Sequence, residues 1–231
     1  FSSGTWIGRG EYAVCLDREQ YAAGRIVTVP EDNPNAWPLV TCGREVKNTE
    51  IRIVNPDTRL AEGEDEIGEI WLRGACVAAG YWHKKKETEE SLKAVLADTG
   101  EGGWLRTGDL GLIDEEGNLF IKGRSKNMIH GPSGQNIYPE EIEDHLNNLP
   151  YVSESIVVEK EGKLTALIYP DFETINADNK NSDEAIAAIM EENRKQINET
   201  LPAYSQIAKV TRYNEECEKT PKKSIKRFLY Q

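Results

Sequence analysis

The sequence comprises 231 residues, with 28 lysines and arginines, 40 aspartates and glutamates and a formal net charge of −12. Its 38% hydrophobic content is typical of globular proteins and is sufficient for one large domain or two smaller ones. An acidic surface repels phosphate polymers and anionic headgroups. We therefore expect no nucleic-acid or membrane-surface binding outside a basic segment at the C-terminus.

Cysteine usage and hydropathy indicate the compartment. The four cysteines lie far apart and form no C-x-x-C pair, and the histidines are isolated, so we predict neither a disulfide framework nor a metal site. No run approaches the roughly 18 apolar residues of an integral membrane segment, and residues 1 to 20 lack a signal-peptide pattern. We expect a cytoplasmic protein. The opening "FSSGTWIGRG", without an initiator methionine, indicates a fragment of a longer protein.

The first predicted elements are strands. Residues 38 to 74 alternate short apolar runs with polar breaks. Ile51 with Ile53, and Ile70 with Leu72, repeat at a spacing of two, which predicts antiparallel strands joined by turns.

A helix and a hairpin are predicted next. "KETEESLKAVLAD" has helical periodicity, with Thr88 as the N-cap and with Leu92, Val95 and Leu96 on one face. "LGLIDEEGNLFIKG" then predicts a hairpin that turns at residues 116 and 117.

The remaining residues alternate helices and strands. "YPEEIEDHLNNLP" predicts a helix with Pro139 at its first position. "SESIVVEKEGKLTALIYP" predicts a hairpin about residues 161 and 162. A second helix is predicted over roughly 183 to 200, with Asn181 and Glu184 arranged like a capping box, and "IAKVTRY" predicts one more strand.

These elements predict an α+β fold with two domains. A β-rich region, residues 1 to 123, precedes a compact helix–hairpin–helix–strand unit, residues 124 to 231. The boundary is placed at Gly123–Arg124.

Three segments carry a resemblance to a known family. They are "GEIWLRGACVAAGYW" with "GWLRTGDLGLIDEEGNLFIKGR", then "GRSKNMIHGPSGQNIYPEEIE", and the terminal "EKTPKKSIKRF". In this order, over roughly residues 38 to 231, the sequence resembles the C-terminal third of the adenylate-forming (AMP-binding) superfamily, and within it fatty acyl-AMP ligases and long-chain fatty acyl-CoA ligases. The resemblance implies that residues 1 to 123 end the large AMP-binding domain and that residues 124 to 231 form its mobile C-terminal lid.

The resemblance also implies an activity. Such enzymes join a carboxylate, here a fatty acid, to the α-phosphate of ATP with Mg²⁺, release pyrophosphate, and pass the acyl group to a pantetheine thiol. The acceptor is CoA or the phosphopantetheine of an acyl carrier protein, and the sequence leaves this choice open. The family's phosphate loop and acyl pocket lie N-terminal to the matching region, so this chain is expected to need that missing N-terminal part for activity.

Several residues match positions that bind nucleotide or thiol in the family. Asp109 in "LRTGDLG" matches the ribose-binding aspartate, for which charge-assisted hydrogen bonds to both hydroxyls are strong. An isolated T-G-D would favour a turn, and the flanking match favours ribose binding instead. Arg124 matches a nucleotide-contacting arginine, and Lys126 matches the hinge about which the lid rotates. Ser133 and Gly134 match the pantetheine tunnel, although that loop alone is also typical of a simple turn.

The terminal motif departs from the family pattern Thr-Pro-x-x-Lys-Ile-x-Arg. The resemblance implies a lysine that bridges the substrate carboxylate and the α-phosphate and stabilises developing charge. Ser224 stands where that lysine belongs. Of the nearby Lys222, Lys223 and Lys226, we assign the catalytic role to Lys223, because a slip of one residue would deliver it without breaking the Ile-x-Arg frame.

Two rival interpretations accompany this one. The altered lysine position is compatible with a non-catalytic module that keeps the fold and docks a carrier protein. The basic terminal segment would also permit weak, salt-sensitive nucleic-acid contacts, but the signals of specific recognition are missing.

Overall fold

The structure is a computed structural model that describes residues 2–3, 13–17, 20, 27–64, 66–131, 135–221 and 223–230. The chain divides into two compact units, Phe1–Lys126 and Asn127–Gln231. This division lies three residues after the boundary proposed from the sequence, because Arg124 still belongs to the last strand of the first unit.

The first unit begins with four short strands that form two small sheets. Strand β1 pairs with β4, and β2 pairs with β3, both antiparallel. Their bounds are Ser2–Ser3 (β1), Ala13–Asp17 (β2), Ala36–Val40 (β3) and Arg44–Glu45 (β4).

A four-stranded antiparallel sheet forms the centre of the first unit. The strands follow chain order across it and have the bounds Thr49–Val54 (β5), Gly68–Gly74 (β6), Leu105–Ile113 (β7) and Leu119–Arg124 (β8). The predicted strands and the predicted turn between β7 and β8 are therefore present. Ile51, Ile53, Ile70 and Leu72 share one buried cluster, as their spacing of two predicts, whereas Trp71 belongs to a second buried cluster with Trp104.

Helix α1, Lys85–Leu92, begins and ends earlier than the sequence pattern predicts. Thr88 is not its N-cap: it lies inside the helix, where its hydroxyl donates to the Lys84 carbonyl (2.7 Å) and accepts from the Tyr81 N–H (2.9 Å). This hydroxyl fastens the preceding loop to the helix. Val95 lies beyond the helix and is 43% exposed, so the predicted apolar face does not extend that far.

The second unit contains the predicted helix, hairpin, helix and strand in that order, together with two short strands and a short helix that were not predicted. Its helices are Pro139–Asn147 (α2), Phe172–Ala177 (α3) and Asp183–Thr200 (α4). Its strands are Ile129–His130 (β9), Asn136–Ile137 (β10), Val152–Lys160 (β11), Lys163–Pro170 (β12) and Lys209–Arg212 (β13). Strands β11, β12 and β13 form one sheet, in which β12 and β13 are parallel.

The two faces of this three-stranded sheet are covered differently. On one face Val157 packs with residues of α2 and α4, including Leu146 and Met190. On the other face Ile156 and Val158 pack with Cys217, and Ile225 of the terminal segment lies against this cluster. The alternation along β11 thus directs one set of side chains to the helices and the other to the terminal segment.

Helix α4 has the predicted bounds but a different cap. Ser182, rather than Asn181, is the N-cap, and its hydroxyl accepts from the Ala185 N–H at 3.1 Å. Within the described ranges, no helix combines the length and the apolar character needed to cross a bilayer.

Candidate functional site

Asp109 and Arg124 lie opposite each other on β7 and β8. The Arg124 Nε is 2.7 Å from the Asp109 Oδ1, and the two side chains are 53% and 31% exposed. The hairpin therefore brings together the two residues that the sequence assigns to nucleotide binding. An ion pair this exposed contributes at most about 1 kcal/mol to stability.

The turn that presents Asp109 is fixed by its two preceding residues. Gly108 has a φ of 74°, a left-handed conformation that favours glycine. The Thr107 hydroxyl donates to the Ile70 carbonyl (2.7 Å) and accepts from the Asp109 N–H (3.0 Å). Thr107, Gly108 and Asp109 thus form a local backbone turn within strand β7, where its register with β6 shifts, and this turn is fastened to β6.

Glu69 on β6 is a buried carboxylate beneath this turn, and sequence reasoning missed it. It is 3% exposed, and its Oε1 accepts from the Gly108 N–H at 3.0 Å. Its Oε2 accepts from the Trp71 Nε1 (3.0 Å) and from the Arg106 Nε (2.8 Å) and Nη2 (2.7 Å). The available signal was an acidic residue inside the apolar strand "GEIWL", because a charge is rarely buried without a dedicated set of partners.

Beyond this turn, β7 and β8 approach closely. A side chain at Gly111 would place its Cβ only 2.4 Å from the Phe120 carbonyl oxygen, so this position requires glycine. The chain then leaves β8 through a short 3₁₀ segment, Ser125–Asn127. Lys126, the predicted hinge residue, is exposed in this segment and is the last residue of the first unit.

The hairpin of β9 and β10 carries the predicted pantetheine residues. Ser133 and Gly134 lie outside the described residues. The positions flanking them are joined by a hydrogen bond from the Gly131 N–H to the Gln135 carbonyl at 2.8 Å.

The terminal motif forms a tight loop. The Thr220 N–H donates to the Ser224 carbonyl, and the Lys223 N–H donates to the Thr220 carbonyl, both at 2.8 Å. Lys219 and Ile225 pair across the base of the loop. Ser224 therefore contributes its backbone to the closure of the loop, and Lys223 lies exposed at its tip with a φ of 62°.

The three candidate lysines differ in their surroundings. Lys226 is ion-paired with Glu218, with its Nζ 3.0 Å from the Glu218 Oε2. Lys222 lies outside the described residues. Lys223 projects from the loop tip, and the assignment of the catalytic role to it remains a prediction.

Arg227 anchors the terminal loop to helix α2 and strand β11. Its guanidinium is paired with Glu143 and donates to the Val157 carbonyl at 3.3 Å. Glu143 also accepts from the Val157 N–H at 2.6 Å. Burial raises the pKa of Glu143 to about 7, although the charge of Arg227 acts in the opposite direction. A buried carboxylate thus fixes the frame on which the lysine loop is built.

Metal-binding groups are not assembled in the part of the chain that the structure describes. No group of three or more histidine, cysteine, aspartate or glutamate residues there could hold a metal ion. The four cysteines are free thiols. Mg²⁺ is usually held by one or two carboxylates together with substrate phosphates, so such a cluster is not required for an ion that binds with ATP.

Comparison with known proteins relates the chain to one enzyme family. A family model described as "AMP-binding enzyme" matches residues 21–82, and one described as "AMP-binding enzyme C-terminal domain" matches residues 126–230. A 4-hydroxyphenylalkanoate adenylyltransferase of Mycobacterium tuberculosis is 37% identical over 171 residues, 72% of this chain and 25% of that protein. The long-chain-fatty-acid–AMP ligase FadD26 of the same species is 39% identical over 140 residues, 59% of this chain and 24% of that protein.

The solved structures show the same fold. A structure from a study of fatty acyl-adenylate ligases of E. coli and L. pneumophila superposes with a TM-score of 0.71 at 23% identity, covering 94% of this chain and 36% of that one. The chain belongs to the AMP-binding, adenylate-forming enzyme family, and the α+β prediction is confirmed. It spans about a quarter of the length of the curated relatives it matches.

Proposed function

We propose that this chain is the C-terminal part of an ATP-dependent ligase that activates a fatty acid as its acyl adenylate and transfers the acyl group to a thiol. The observation that carries the proposal is the cross-strand pair of Asp109 and Arg124 on strands β7 and β8. It occurs in a chain that matches family models of both an AMP-binding enzyme and its C-terminal domain.

Adenylation needs nucleotide binding and charge stabilisation. The Asp109 carboxylate accepts hydrogen bonds from the two ribose hydroxyls, and Arg124 contacts the nucleotide beside it. A carboxylate oxygen of the fatty acid attacks the α-phosphorus of ATP, and the bond to pyrophosphate breaks. The Lys223 ammonium neutralises the charge that develops between the carboxylate and the α-phosphate.

Acyl transfer uses the second unit in another way. The pantetheine sulfur attacks the acyl carbon, and AMP leaves. Ser133 and Gly134 line the path of the pantetheine arm, where the missing Cβ of glycine permits close approach. Lys126 serves as the hinge between the two half-reactions, since an exposed residue tolerates the backbone rotation that a hinge requires. Comparison of acyl-CoA formation with loading of an acyl carrier protein identifies the acceptor.

The test is ATP–pyrophosphate exchange by the intact protein that carries this chain. Exchange should depend on a fatty acid. Asp109→Asn should raise the KM for ATP about tenfold to a hundredfold, because hydrogen bonds to a charged group contribute about 1.5–3 kcal/mol, and it should leave the KM for the fatty acid unchanged.

A matched control is available in the same hairpin. The Asp114 carboxylate accepts from the Asn118 N–H at 2.8 Å and supports only the turn between β7 and β8. Asp114→Asn should leave the KM for ATP unchanged. An intact protein that shows no exchange with any fatty acid would contradict the proposed function.

A second candidate is favoured by one observation, the presence of Ser224 at the position of the family lysine. A chain that had lost the catalytic cation could retain the fold and dock a carrier protein without chemistry. Release of pyrophosphate by the intact protein in the presence of ATP and a fatty acid would eliminate this candidate.

A further inference from the structure

Glu69 is the most heavily bonded buried carboxylate among the hydrogen bonds described above. Four N–H donors surround it, from Trp71, Arg106 and the backbone of Gly108. Transfer of a carboxylate from water into a protein interior is costly, and packing alone would be served as well by an apolar side chain. The buried charge of Glu69 is therefore better explained by the hydrogen bonds it accepts than by packing.

The hydrogen bonds of Glu69 lead to the candidate ribose site. Its Oε1 holds the N–H of Gly108, the residue immediately before Asp109. Thr107, one residue earlier, is bonded to Ile70, the residue immediately after Glu69. Strand β6 therefore holds both residues that precede Asp109, one through a side-chain carboxylate and one through a backbone carbonyl.

The pairing of β6 and β7 is irregular at this point. The register shifts between Glu69 and Trp71 on β6, so the regular ladder does not fix the backbone here. At Gly108 the Glu69 carboxylate, instead of a ladder hydrogen bond, accepts from the backbone N–H. Arg106 holds Glu69 in place through two nitrogens on Oε2, which leaves Oε1 directed at the turn.

We propose that Glu69 is a positioning residue for nucleotide binding: it fixes the turn at Gly108 so that the Asp109 carboxylate is held ready for the ribose hydroxyls. This inference rests on the proposed function, in which Asp109 binds ribose. Glu69 itself is buried and does not touch the nucleotide. Its effect is on the affinity for ATP, because a displaced Asp109 weakens ribose binding in the ground state and the transition state alike.

The test is Glu69→Gln in the intact protein, assayed by ATP–pyrophosphate exchange. Glutamine keeps the size of the side chain but replaces one acceptor oxygen by an NH₂ group, so it cannot accept from both Gly108 and Arg106. We expect the KM for ATP to rise about tenfold, the equivalent of one lost charge-assisted hydrogen bond, with the KM for the fatty acid and kcat changed less than twofold.

Glu50→Gln is the matched control. Glu50 lies on the neighbouring strand β5 and binds Arg73 of β6 through two nitrogens, at 3.0 and 2.7 Å. It makes the same kind of carboxylate–arginine pair in the same sheet, but away from the Asp109 turn. We expect Glu50→Gln to leave the KM for ATP unchanged, and an equal rise in both variants would overturn the positioning role.

Asp109→Asn separates failure of this inference from failure of the proposed function. If Asp109→Asn leaves the KM for ATP unchanged, ribose binding by Asp109 is refuted. If Asp109→Asn raises that KM and Glu69→Gln does not, the positioning role of Glu69 is refuted while the proposed function stands.

A second measurement covers the case in which Glu69→Gln fails to fold. In the ¹⁵N-labelled 231-residue chain, the Gly108 amide should exchange with solvent at least a hundredfold more slowly than an amide of an unstructured peptide, because its proton is held by the buried carboxylate. Exchange of the Gly108 amide at the rate of an unstructured glycine would show that the contact is absent and would overturn the proposal.

Discussion

Lys223 lies in a backbone conformation that lysine rarely adopts. Its φ is 62°, and a left-handed conformation costs a non-glycine residue about 1 to 2 kcal/mol. Backbone strain of this kind is concentrated at functional sites, where the surrounding structure enforces it. Here the hydrogen bonds between Thr220 and Ser224 close the loop and impose the conformation. Other described non-glycine residues, among them Asn48 and Tyr151, share this conformation, so the assignment of Lys223 rests on the terminal motif rather than on the strain.

Lys223→Ala should lower adenylation by the intact protein about a hundredfold or more, since it removes a cation placed where transition-state charge develops. Transfer of a supplied acyl adenylate to the thiol should fall far less. Both half-reactions are measured separately, by pyrophosphate exchange and by thioester formation. Lys226→Ala is the control, because Lys226 is already paired with Glu218, and it should retain most of the adenylation rate. Equal adenylation by Lys223→Ala and the parent protein would refute the assignment.

Lys223→Gly distinguishes the function of this residue from its effect on stability. Glycine relieves the left-handed strain but gains entropy in the unfolded chain, so the free energy of unfolding should stay constant or rise by about 1 kcal/mol. Adenylation should nevertheless be lost as it is in Lys223→Ala. A stable but inactive variant would thus show that adenylation needs the lysine side chain and not merely a stable loop.

The sequence predicted some site residues and missed others for a physical reason. Asp109 and Arg124 lie in a predicted hairpin, so local pairing was enough to bring them together. Glu69 accepts a hydrogen bond from Gly108, which lies 39 positions later in the sequence, on the neighbouring strand. The pairing of the two strands is irregular at this point. No local pattern encodes such a contact. That the Glu69 carboxylate is buried follows only from the three-dimensional packing of the strands.

At the scale of elements, turns with a strong local signal were predicted well. Glu161 and Gly162 both have positive φ values, as a two-residue hairpin between β11 and β12 requires, and Gly117 does so in the other predicted hairpin. The predicted starts of α2 and α4 were right, whereas the start of α1 and the N-cap residue of α4 were not. Thr88 and Ser182 show why: a hydroxyl can cap a helix or fasten a loop, and the tertiary partners decide between these roles.

The terminal segment depends on helix α2 through Glu143 and Arg227. Burial raises the pKa of Glu143 from 4.5 to about 7, so between these values the folded protein binds a proton more tightly than the unfolded chain. The contribution of this group to the free energy of unfolding is therefore full below pH 4.5 and is lost as the pH rises through 7. The second unit should become less stable over this interval on account of Glu143.

Glu143→Gln removes this titration. We expect the free energy of unfolding of the 231-residue chain, relative to that of Glu143→Gln, to fall as the pH rises from 5 to 7 and to level off above 7.5. Urea unfolding at each pH measures the difference.

Glu191→Gln is the control for the pH series. Glu191 is exposed on helix α4, and its pKa is lowered by hydrogen bonding with Arg194. Its contribution is lost only at acidic pH, so its difference from the parent should be flat between pH 5 and 8. A rise of the Glu143 difference with pH would contradict the burial of that carboxylate.

At the scale of the whole molecule, the net charge of −12 coexists with five basic residues near the C-terminus. Three of them are paired within the second unit: Lys219 with Glu154, Lys226 with Glu218 and Arg227 with Glu143. Because these three cations are already paired with glutamates, binding a nucleic-acid phosphate would require breaking those ion pairs. The basic segment is therefore folded against the rest of the second unit through ion pairs, which argues against a nucleic-acid role.

The activity of the 231-residue chain taken alone is the remaining prediction at this scale. The chain covers 25% of the adenylyltransferase relative, and we propose that the phosphate loop and the acyl pocket lie in the part of the protein outside these 231 residues. In the proposed function Asp109 and Lys223 supply ribose binding and a cation, and the group that holds the departing pyrophosphate is expected elsewhere in the intact protein. We expect fatty-acid-dependent pyrophosphate exchange from the intact protein and none above background from the 231-residue chain. Exchange by that chain near the intact rate would mean that these residues contain a complete site, and the proposal that Asp109 and Lys223 serve as parts of a larger one would fail.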